Sequence, residues 1–168
     1  ARYASTRYPA KPLATLKGAS GTERTLLERS VMAARAAAVS TRGVTGVFVA
    51  TDDERIADEA RRIHCDVIMT APECANGTER VAQAVERAGL GQPIIVNLQG
   101  DAPLTPPHFV AALVAAMRAD PGCAMATPAL RCTPETVGNL LADRAAGRVG
   151  ATTVVSDGAG RALYFSKE

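Results

Sequence analysis

The sequence lacks the features that mark several large classes of protein. No apolar run approaches the roughly 18 residues that a membrane-spanning helix needs. The 19 lysines and arginines barely outnumber the 17 aspartates and glutamates, so the excess positive charge of a protein that binds nucleic acid over a broad phosphate footprint is missing. Apolar residues make up 47% of the chain and charged residues 21%, a balance that excludes a disordered chain.

Cysteine is scarce and widely spaced. The four cysteines form no C-x-x-C pair and no cluster with the two histidines, which argues against a zinc site. Secreted disulfide scaffolds contain cysteine at a much higher density. We therefore expect a reduced, cytoplasmic chain whose cysteines and histidines serve packing or the surface.

Helix and strand patterns alternate through the first two thirds of the chain. This alternation predicts an α/β fold with a mostly parallel sheet and helices on both faces. Because no linker, repeat or low-complexity tract interrupts residues 1–168, we interpret them as a single domain. The predicted strands are 44–50, 65–69 and 93–98, and the predicted helices are 22–39, 51–62, 76–88 and 107–119.

The last third of the chain changes character. The segments 149–155 and 161–165 flank Asp157-Gly158-Ala159-Gly160, a turn sequence that predicts an antiparallel ribbon near the C-terminus. A further strand is predicted at 125–130 and a helix at 133–141.

The opening segment concentrates positive charge. Arg2, Ser5, Arg7 and Lys11 lie within eleven residues, and Lys11 is one of only three lysines in a chain that otherwise uses arginine. A polyphosphate requires several cations converging from a loop, because its charge is spread over many oxygens. A solvated basic loop is the alternative interpretation. The Gly-x-x-x-x-Gly-Lys pattern of the common ATPase loop is not present.

Two further segments combine polar residues with glycine. In Asn76-Gly77-Thr78-Glu79-Arg80, Asn76 is suited to cap a helix, and a ligand against the helix amides is the functional alternative.

The segment 96–104 follows the apolar strand predicted at 93–98. Asp101 suits Mg²⁺ held together with substrate phosphates, since magnesium commonly takes only one or two protein carboxylates. Gln99 offers both a donor and an acceptor, which reading the edge of a base requires. A turn aspartate after Gly100 is the alternative.

Together and in this order, these segments resemble the 3-deoxy-D-manno-octulosonate (Kdo) cytidylyltransferases, the CMP-Kdo synthetase family. The family's opening pattern Ala-Arg-x-x-Ser-x-Arg-x-Pro-x-Lys-Pro-Leu matches residues 1–13 throughout. Its Ser-Gly-Thr-Glu-Arg motif is met at 76–80 with Asn76 in place of serine, and its Val-Asn-x-Gln-Gly-Asp-Glu-Pro motif at 96–103 with Ala102 in place of glutamate. The closing Ala-Leu-Tyr-Phe-Ser at 162–166 also resembles the family.

The resemblance implies a fold, a reaction and a set of partners. The fold would be a three-layer, Rossmann-like nucleotidyltransferase fold, and the reaction would couple CTP to Kdo, releasing pyrophosphate and giving CMP-Kdo for lipopolysaccharide. It also implies Mg²⁺ as the cofactor, a homodimer in the complete protein, and neither nucleic-acid binding nor membrane insertion. The sequence does not choose between Kdo and its 8-amino analogue.

The resemblance also implies roles for individual residues. Arg2, Lys11 and Asp101 would serve catalysis, with Asp101 holding the metal, and Arg7 would be a structural partner for an acid elsewhere. The residues expected to bind the nucleotide are Arg2, Ser5, Lys11, Asn76, Gly77, Thr78, Arg80 and Gln99.

Two departures from the family pattern shape the expectations. Asn76 has a longer side chain than serine but still caps a helix, so we expect the helix amides to remain available to a ligand. Ala102 changes the local charge without removing Asp101. The chain starts just after the family's first strand and stops before its sugar-acid pocket and second metal-binding aspartate, so we expect an incomplete cytidylyltransferase of poor stability that is inactive alone.

Two other functions remain as hypotheses. One is a non-catalytic CTP-binding fragment or degenerate relative. The other is a nucleotide-sugar glycosyltransferase, although Asp52-Asp53 does not have the Asp-x-Asp spacing and is explained by helix capping.

Overall fold

Helices and strands alternate along the chain. The computed structural model describes residues 1–3, 8–148 and 152–166, and its contacts divide into two compact units, Ala1–Ala126 and Thr127–Glu168. A short 3₁₀ helix occupies Lys11–Leu13. The described residues otherwise form β1 (Thr15–Lys17), β2 (Glu23–Thr25), α1 (Leu26–Ser40), β3 (Phe48–Thr51), α2 (Glu54–Arg62), β4 (Asp66–Met69), α3 (Gly77–Arg87), α4 (Pro107–Ala119), α5 (Pro134–Ala145), β5 (Thr153–Ser156) and β6 (Ala162–Ser166).

A parallel pair of strands organises the first unit. β3 and β4 pair in register from Phe48 opposite Asp66 to Thr51 opposite Met69, and the Thr70 N–H extends the ladder by donating to the Thr51 carbonyl at 2.8 Å. Since parallel strands run in the same direction, their carboxyl ends lie side by side. The loops that lead into α2 and α3 therefore start at the same edge.

Side-chain caps fix where the helices begin. The Thr25 hydroxyl accepts from the Glu28 amide at the start of α1, and Asp53 accepts from the Arg55 amide at the start of α2. These bonds satisfy amides that have no partner within the helix. The predicted helices at 51–62, 76–88 and 107–119 are confirmed with small changes in their bounds.

Two apolar clusters hold the first unit together. In the larger one, α1 and α2 pack on β3. In the smaller one, α1 meets α4 through Ala37, Val110 and Val114. The buried members of the larger cluster are Leu27, Val31, Val49, Ile56, Ala60 and Cys65.

Three local predictions are wrong. Helix α1 begins at Leu26, not at residue 22, because 23–25 pair with β1 as an antiparallel strand. Residues 93–98 and 125–130 form no strand, since no described strand bonds to them. Alternation and apolar composition show that a segment suits a sheet, but a strand also needs a neighbouring strand to bond to. Residues 94–98 instead line a cavity whose walls also include residues of β3.

The second unit contains a helix and a ribbon. β5 and β6 pair antiparallel from Thr153 opposite Ser166 to Ser156 opposite Ala162, which confirms the predicted ribbon and, with β3 and β4, the α/β class. Parallel pairing within the described residues is confined to β3 and β4. Residues 149–151 of the predicted strand lie outside the described residues. No helix in the described part of the chain has the length and apolar character to span a bilayer.

Truncating the centre of the larger cluster tests this packing. Ile56 is 0% exposed, so Ile56→Ala should lower the free energy of unfolding by about 2–5 kcal/mol through lost burial and a cavity. The control is Val39→Ala on α1, where the side chain is 91% exposed and the change should stay within about 0.5 kcal/mol. Urea denaturation measures both, and equal effects would contradict the assignment of the core.

Candidate functional site

One cavity of about 970 Å³ lies in the first unit. Its walls include the opening segment, the start of α3 and the loop at 99–101. These are the three segments in which the sequence predicted chemistry. The predicted site residues on its walls are Arg2, Lys11, Gly77, Arg80, Gln99 and Asp101.

The opening segment holds Lys11 in a closed turn. Ala10 donates its amide to the Tyr3 carbonyl at 2.9 Å, and Leu13 donates to Ala10 at 2.8 Å. Ala10 itself has a φ of 56°, in the left-handed region that residues other than glycine rarely adopt. Lys11 therefore projects from a backbone that is fixed on both sides, with Pro12 buried next to it.

Lys11 and Asp101 meet although 90 positions separate them in the chain. The Lys11 Nζ donates to the Asp101 Oδ2 at 2.7 Å, and the two side chains are 43% and 46% exposed. The turn around Asp101 is held by the Ala102 amide, which donates to the Gln99 carbonyl at 3.0 Å, and by the Ser30 hydroxyl, which donates to the Gly100 carbonyl at 3.0 Å. A cation and a carboxylate are thus presented together at the cavity.

The start of α3 is capped by its own side chains. The Asn76 Oδ1 accepts from the amides of Thr78 and Glu79 at 2.9 and 3.0 Å, and the Glu79 carboxylate accepts from the Ala75 amide at 2.8 Å. The capping role predicted for Asn76 is confirmed. The expectation that these amides stay available for a ligand is wrong, because the longer side chain of asparagine already bonds both.

The α3 segment also touches the two other segments of the site. A Cβ on Gly77 would lie only 3.4 Å from the Gln99 Oε1, so the backbone at Gly77 and the Gln99 side chain face each other closely. The Arg2 Nη1 donates to the Ala75 carbonyl at 3.2 Å. These contacts join all three predicted segments at one place.

Arg80 is placed differently from the other predicted site residues. It is 1% exposed, and its Nη1 lies 3.2 Å from the Asp52 Oδ1. The same nitrogen donates to the Thr70 hydroxyl and to the Ala71 carbonyl. Contact of Arg80 with a nucleotide stays a prediction, and the observed partners of the side chain are all within the protein.

The backbone nitrogen of Ala1 lies close to this pair. It donates to the Ala50 carbonyl on β3 at 2.5 Å. The first residue of the opening segment is therefore anchored to the sheet.

Sequence reasoning found most of these residues and missed two. Ser5 and Arg7 lie outside the described residues. Asp52 and Thr70 were missed as partners of Arg80, because capping alone was taken to explain Asp52-Asp53. The available signal was that one carboxylate suffices for a cap, and Asp53 provides it.

The acidic groups of the site fit a magnesium ion that is shared with phosphates. The described residues contain no group of three or more His, Cys, Asp or Glu side chains placed to hold a metal alone. Asp101 supplies one half-exposed carboxylate at the cavity. A hard cation with one protein carboxylate and phosphate oxygens is the usual arrangement for Mg²⁺, so the donor set fits that metal.

Comparison with known proteins identifies the family. The family model described as Cytidylyltransferase matches residues 1–168. The chain belongs to the cytidylyltransferase family. The resemblance drawn from the four sequence motifs is thereby confirmed.

Individual cytidylyltransferases are similar over the whole chain. The 3-deoxy-manno-octulosonate cytidylyltransferase of Maricaulis maris is 45% identical over 99% of this chain and 61% of its own length. The mitochondrial enzyme of that name from Arabidopsis thaliana is 37% identical over 99% of this chain and 51% of its own length. The chain thus spans between half and about three fifths of these relatives.

A solved structure shows the same fold. The structure of CMP:2-keto-3-deoxy-manno-octonic acid synthetase complexed with CTP matches with a TM-score of 0.72 and 29% identity, over 99% of this chain and 61% of that one. The nucleotidyltransferase fold predicted for this chain is confirmed.

The exposure of the Lys11–Asp101 pair gives a prediction about stability. Because both side chains are nearly half exposed, Lys11→Met or Asp101→Asn should change the free energy of unfolding by less than about 1 kcal/mol. Arg80→Met, which breaks a buried pair, should cost on the order of 3 kcal/mol. Chemical denaturation gives all three values. A large loss at Lys11 would mean that the pair serves folding and not a ligand.

Proposed function

We propose that this chain carries the nucleotide site of a cytoplasmic Kdo cytidylyltransferase. The reaction joins CTP and Kdo into CMP-Kdo and pyrophosphate, a step toward lipopolysaccharide, and the complete enzyme is a homodimer. The observation that carries the proposal is the meeting of Lys11, Asp101, Arg2 and Gln99 on one cavity. Further support comes from the similar fold of a synthetase complexed with CTP.

The cations of the opening segment would bind the triphosphate. Lys11 is fixed by the closed turn, and Arg2 reaches the same cavity from the anchored first residues. Charge-assisted hydrogen bonds to phosphate oxygens are about twice as strong as neutral ones. In the reaction, the anomeric hydroxyl oxygen of the sugar acid forms a bond to the α-phosphorus and loses its proton to solvent. The bond to the β-phosphate breaks, and Lys11 and Arg2 stabilise the charge on the departing pyrophosphate.

Asp101 would hold Mg²⁺ together with the phosphates. When bound, magnesium neutralises phosphate charge and polarises the α-phosphate. Lys11 and Asp101 neutralise each other in the structure, so Mg²⁺ and the triphosphate supply each of them with a new partner of opposite charge. Binding would therefore replace the Lys11–Asp101 ion pair with two others, Lys11 with the triphosphate and Asp101 with Mg²⁺.

Gln99 and the start of α3 would bind the nucleoside. The Gln99 amide combines a donor and an acceptor, as recognition of cytosine requires. The Gln99 side chain lies next to Gly77, because a Cβ at Gly77 would be in van der Waals contact with it at 3.4 Å. Since the amides of Thr78 and Glu79 are bonded to Asn76, Thr78 would contribute through its hydroxyl and Ser5 through the opening loop.

A non-catalytic CTP-binding role is the second candidate. It is favoured by Ala102, which stands next to the Asp101 carboxylate where the family pattern has a glutamate. The two candidates share the nucleotide site and differ in turnover.

Calorimetry and a pyrophosphate assay separate the two candidates. The 168-residue chain with Mg²⁺ should bind CTP more tightly than UTP. Cytosine and uracil differ in the hydrogen-bonding groups of their base edges, so a site that bonds the cytosine edge leaves polar groups unpaired when uracil is bound. Pyrophosphate release with Kdo would establish the enzyme, and binding without release would support the second candidate. Failure to bind CTP would contradict both.

Removing the charges of the site should weaken CTP binding. Lys11→Met should raise the Kd for CTP with Mg²⁺ by about ten- to a hundredfold, because a charge-assisted bond is lost. Asp101→Asn should shrink the difference between the Kd values with and without Mg²⁺. The control is Lys17→Met, which removes the charge of an exposed lysine on β1 and should leave the Kd unchanged. Equal effects at Lys11 and Lys17 would point to nonspecific attraction.

Restoring the family's glutamate should have a small effect. Ala102→Glu adds a carboxylate beside Asp101, but Asp101 remains the metal ligand, so the Kd for CTP with Mg²⁺ should change less than about tenfold. Ala116→Glu, on an exposed position of α4, controls for the added charge. Tighter binding by orders of magnitude at position 102 alone would show that the metal site is incomplete without the glutamate.

A further inference from the structure

Arg80 carries a charge that is almost entirely shielded from water. Its side chain is 2% exposed, and that of Asp52 is 19% exposed. A buried guanidinium is tolerated only when charged or polar partners surround it. The Arg80 Nη1 faces the Asp52 carboxylate at 3.2 Å and donates to the Thr70 hydroxyl and the Ala71 carbonyl.

These partners connect three elements. Asp52 directly follows β3, Thr70 directly follows β4, and Arg80 lies in the first turn of α3. Asp52 does not cap α2, because Asp53 does so through the Arg55 amide. The Asp52 Oδ1 and the Arg80 Nε and Nη2 are buried and have no hydrogen-bond partner among the described residues. The contact between the two residues is therefore an ion pair without a hydrogen bond.

The same turn of α3 forms one wall of the cavity. Gly77 lies three residues before Arg80, and its backbone faces the Gln99 side chain at close range. The loop that leads into this turn also receives the hydrogen bond from Arg2 to the Ala75 carbonyl. A shift of the turn by a fraction of an ångström would change both contacts.

We propose that Asp52 and Arg80 are positioning residues of the nucleotide site. Their buried charge pair holds the first turn of α3 against the carboxyl ends of β3 and β4, and thereby sets the separation of Gly77 and Gln99. Arg80 borders the cavity but is only 1% exposed, and its Nη1 is held by Asp52, Thr70 and Ala71. Its contribution to the site is therefore made through the helix. The inference rests on the proposed binding of CTP, and its test includes a measurement that does not involve CTP.

Asp52→Asn and Asp53→Asn form a matched pair of variants. The first keeps the shape of the side chain and removes the charge that faces Arg80. The second removes a charge one position away, while asparagine keeps the cap of α2. Asp52→Asn should raise the Kd for CTP of the folded protein on the order of ten- to a hundredfold, as small displacements in a site do, and Asp53→Asn should leave it unchanged.

Hydrogen–deuterium exchange reports the position of α3 without a ligand. In Asp52→Asn, the amides of Thr78 and Glu79 should exchange at least about tenfold faster, because opening of the first turn is no longer opposed by the charge pair. The amides of α2 should keep their rates. If the unaltered protein failed to bind CTP while this difference appeared, the proposed function would fall and the positioning of α3 would stand.

A double variant separates positioning from stability. Asp52→Asn with Arg80→Met removes both charges, so the melting temperature should recover most of the loss seen in either single variant. CTP binding should remain weak, because no charge pair holds the turn. Recovery of affinity along with the melting temperature would overturn the proposal, as would unchanged affinity and exchange in Asp52→Asn.

Discussion

The parallel pairing of β3 with β4 is the constraint on which the first unit depends. It brings two chain segments to the same edge, so that the loops after Thr51 and Met69 leave side by side. One arginine can then bridge both loops, and the helix that carries it is drawn against the strand ends. Without parallel register, Asp52 and Thr70 would lie at opposite ends of the pair and no single side chain could reach both.

The polar residues at this edge divide between two tasks. Buried groups, with Arg80 at their centre, fix the backbone, and half-exposed groups such as Lys11 and Asp101 face the cavity. A buried charge is costly to disturb, whereas an exposed pair exchanges partners at little cost. This division suits a site that must admit a highly charged ligand without deforming its own frame.

Local sequence signals predicted local structure well and distant contacts poorly. Asn76 was identified as a cap, and the Asp52-Asp53 pair as the site of another, because a cap involves residues two or three positions apart. The strand predicted at 93–98 failed because its pattern says nothing about whether a neighbouring strand exists. That Lys11 and Asp101 belong to one site was predicted from motifs typical of one family, because the 90 positions between them give no local signal. Asp52 was missed because its partner lies on another element, 28 positions along the chain.

The backbone conformation of Ala10 lowers the stability of the opening segment but restricts its conformational freedom. An alanine in the left-handed region costs on the order of 1 kcal/mol, which a glycine would avoid. Glycine, however, would give the unfolded and the ligand-free loop many more conformations. Alanine at position 10, with Pro9 before it and Pro12 two residues after it, keeps the number of loop conformations low. The lysine is thus delivered by a segment with little conformational entropy left to lose when a ligand arrives.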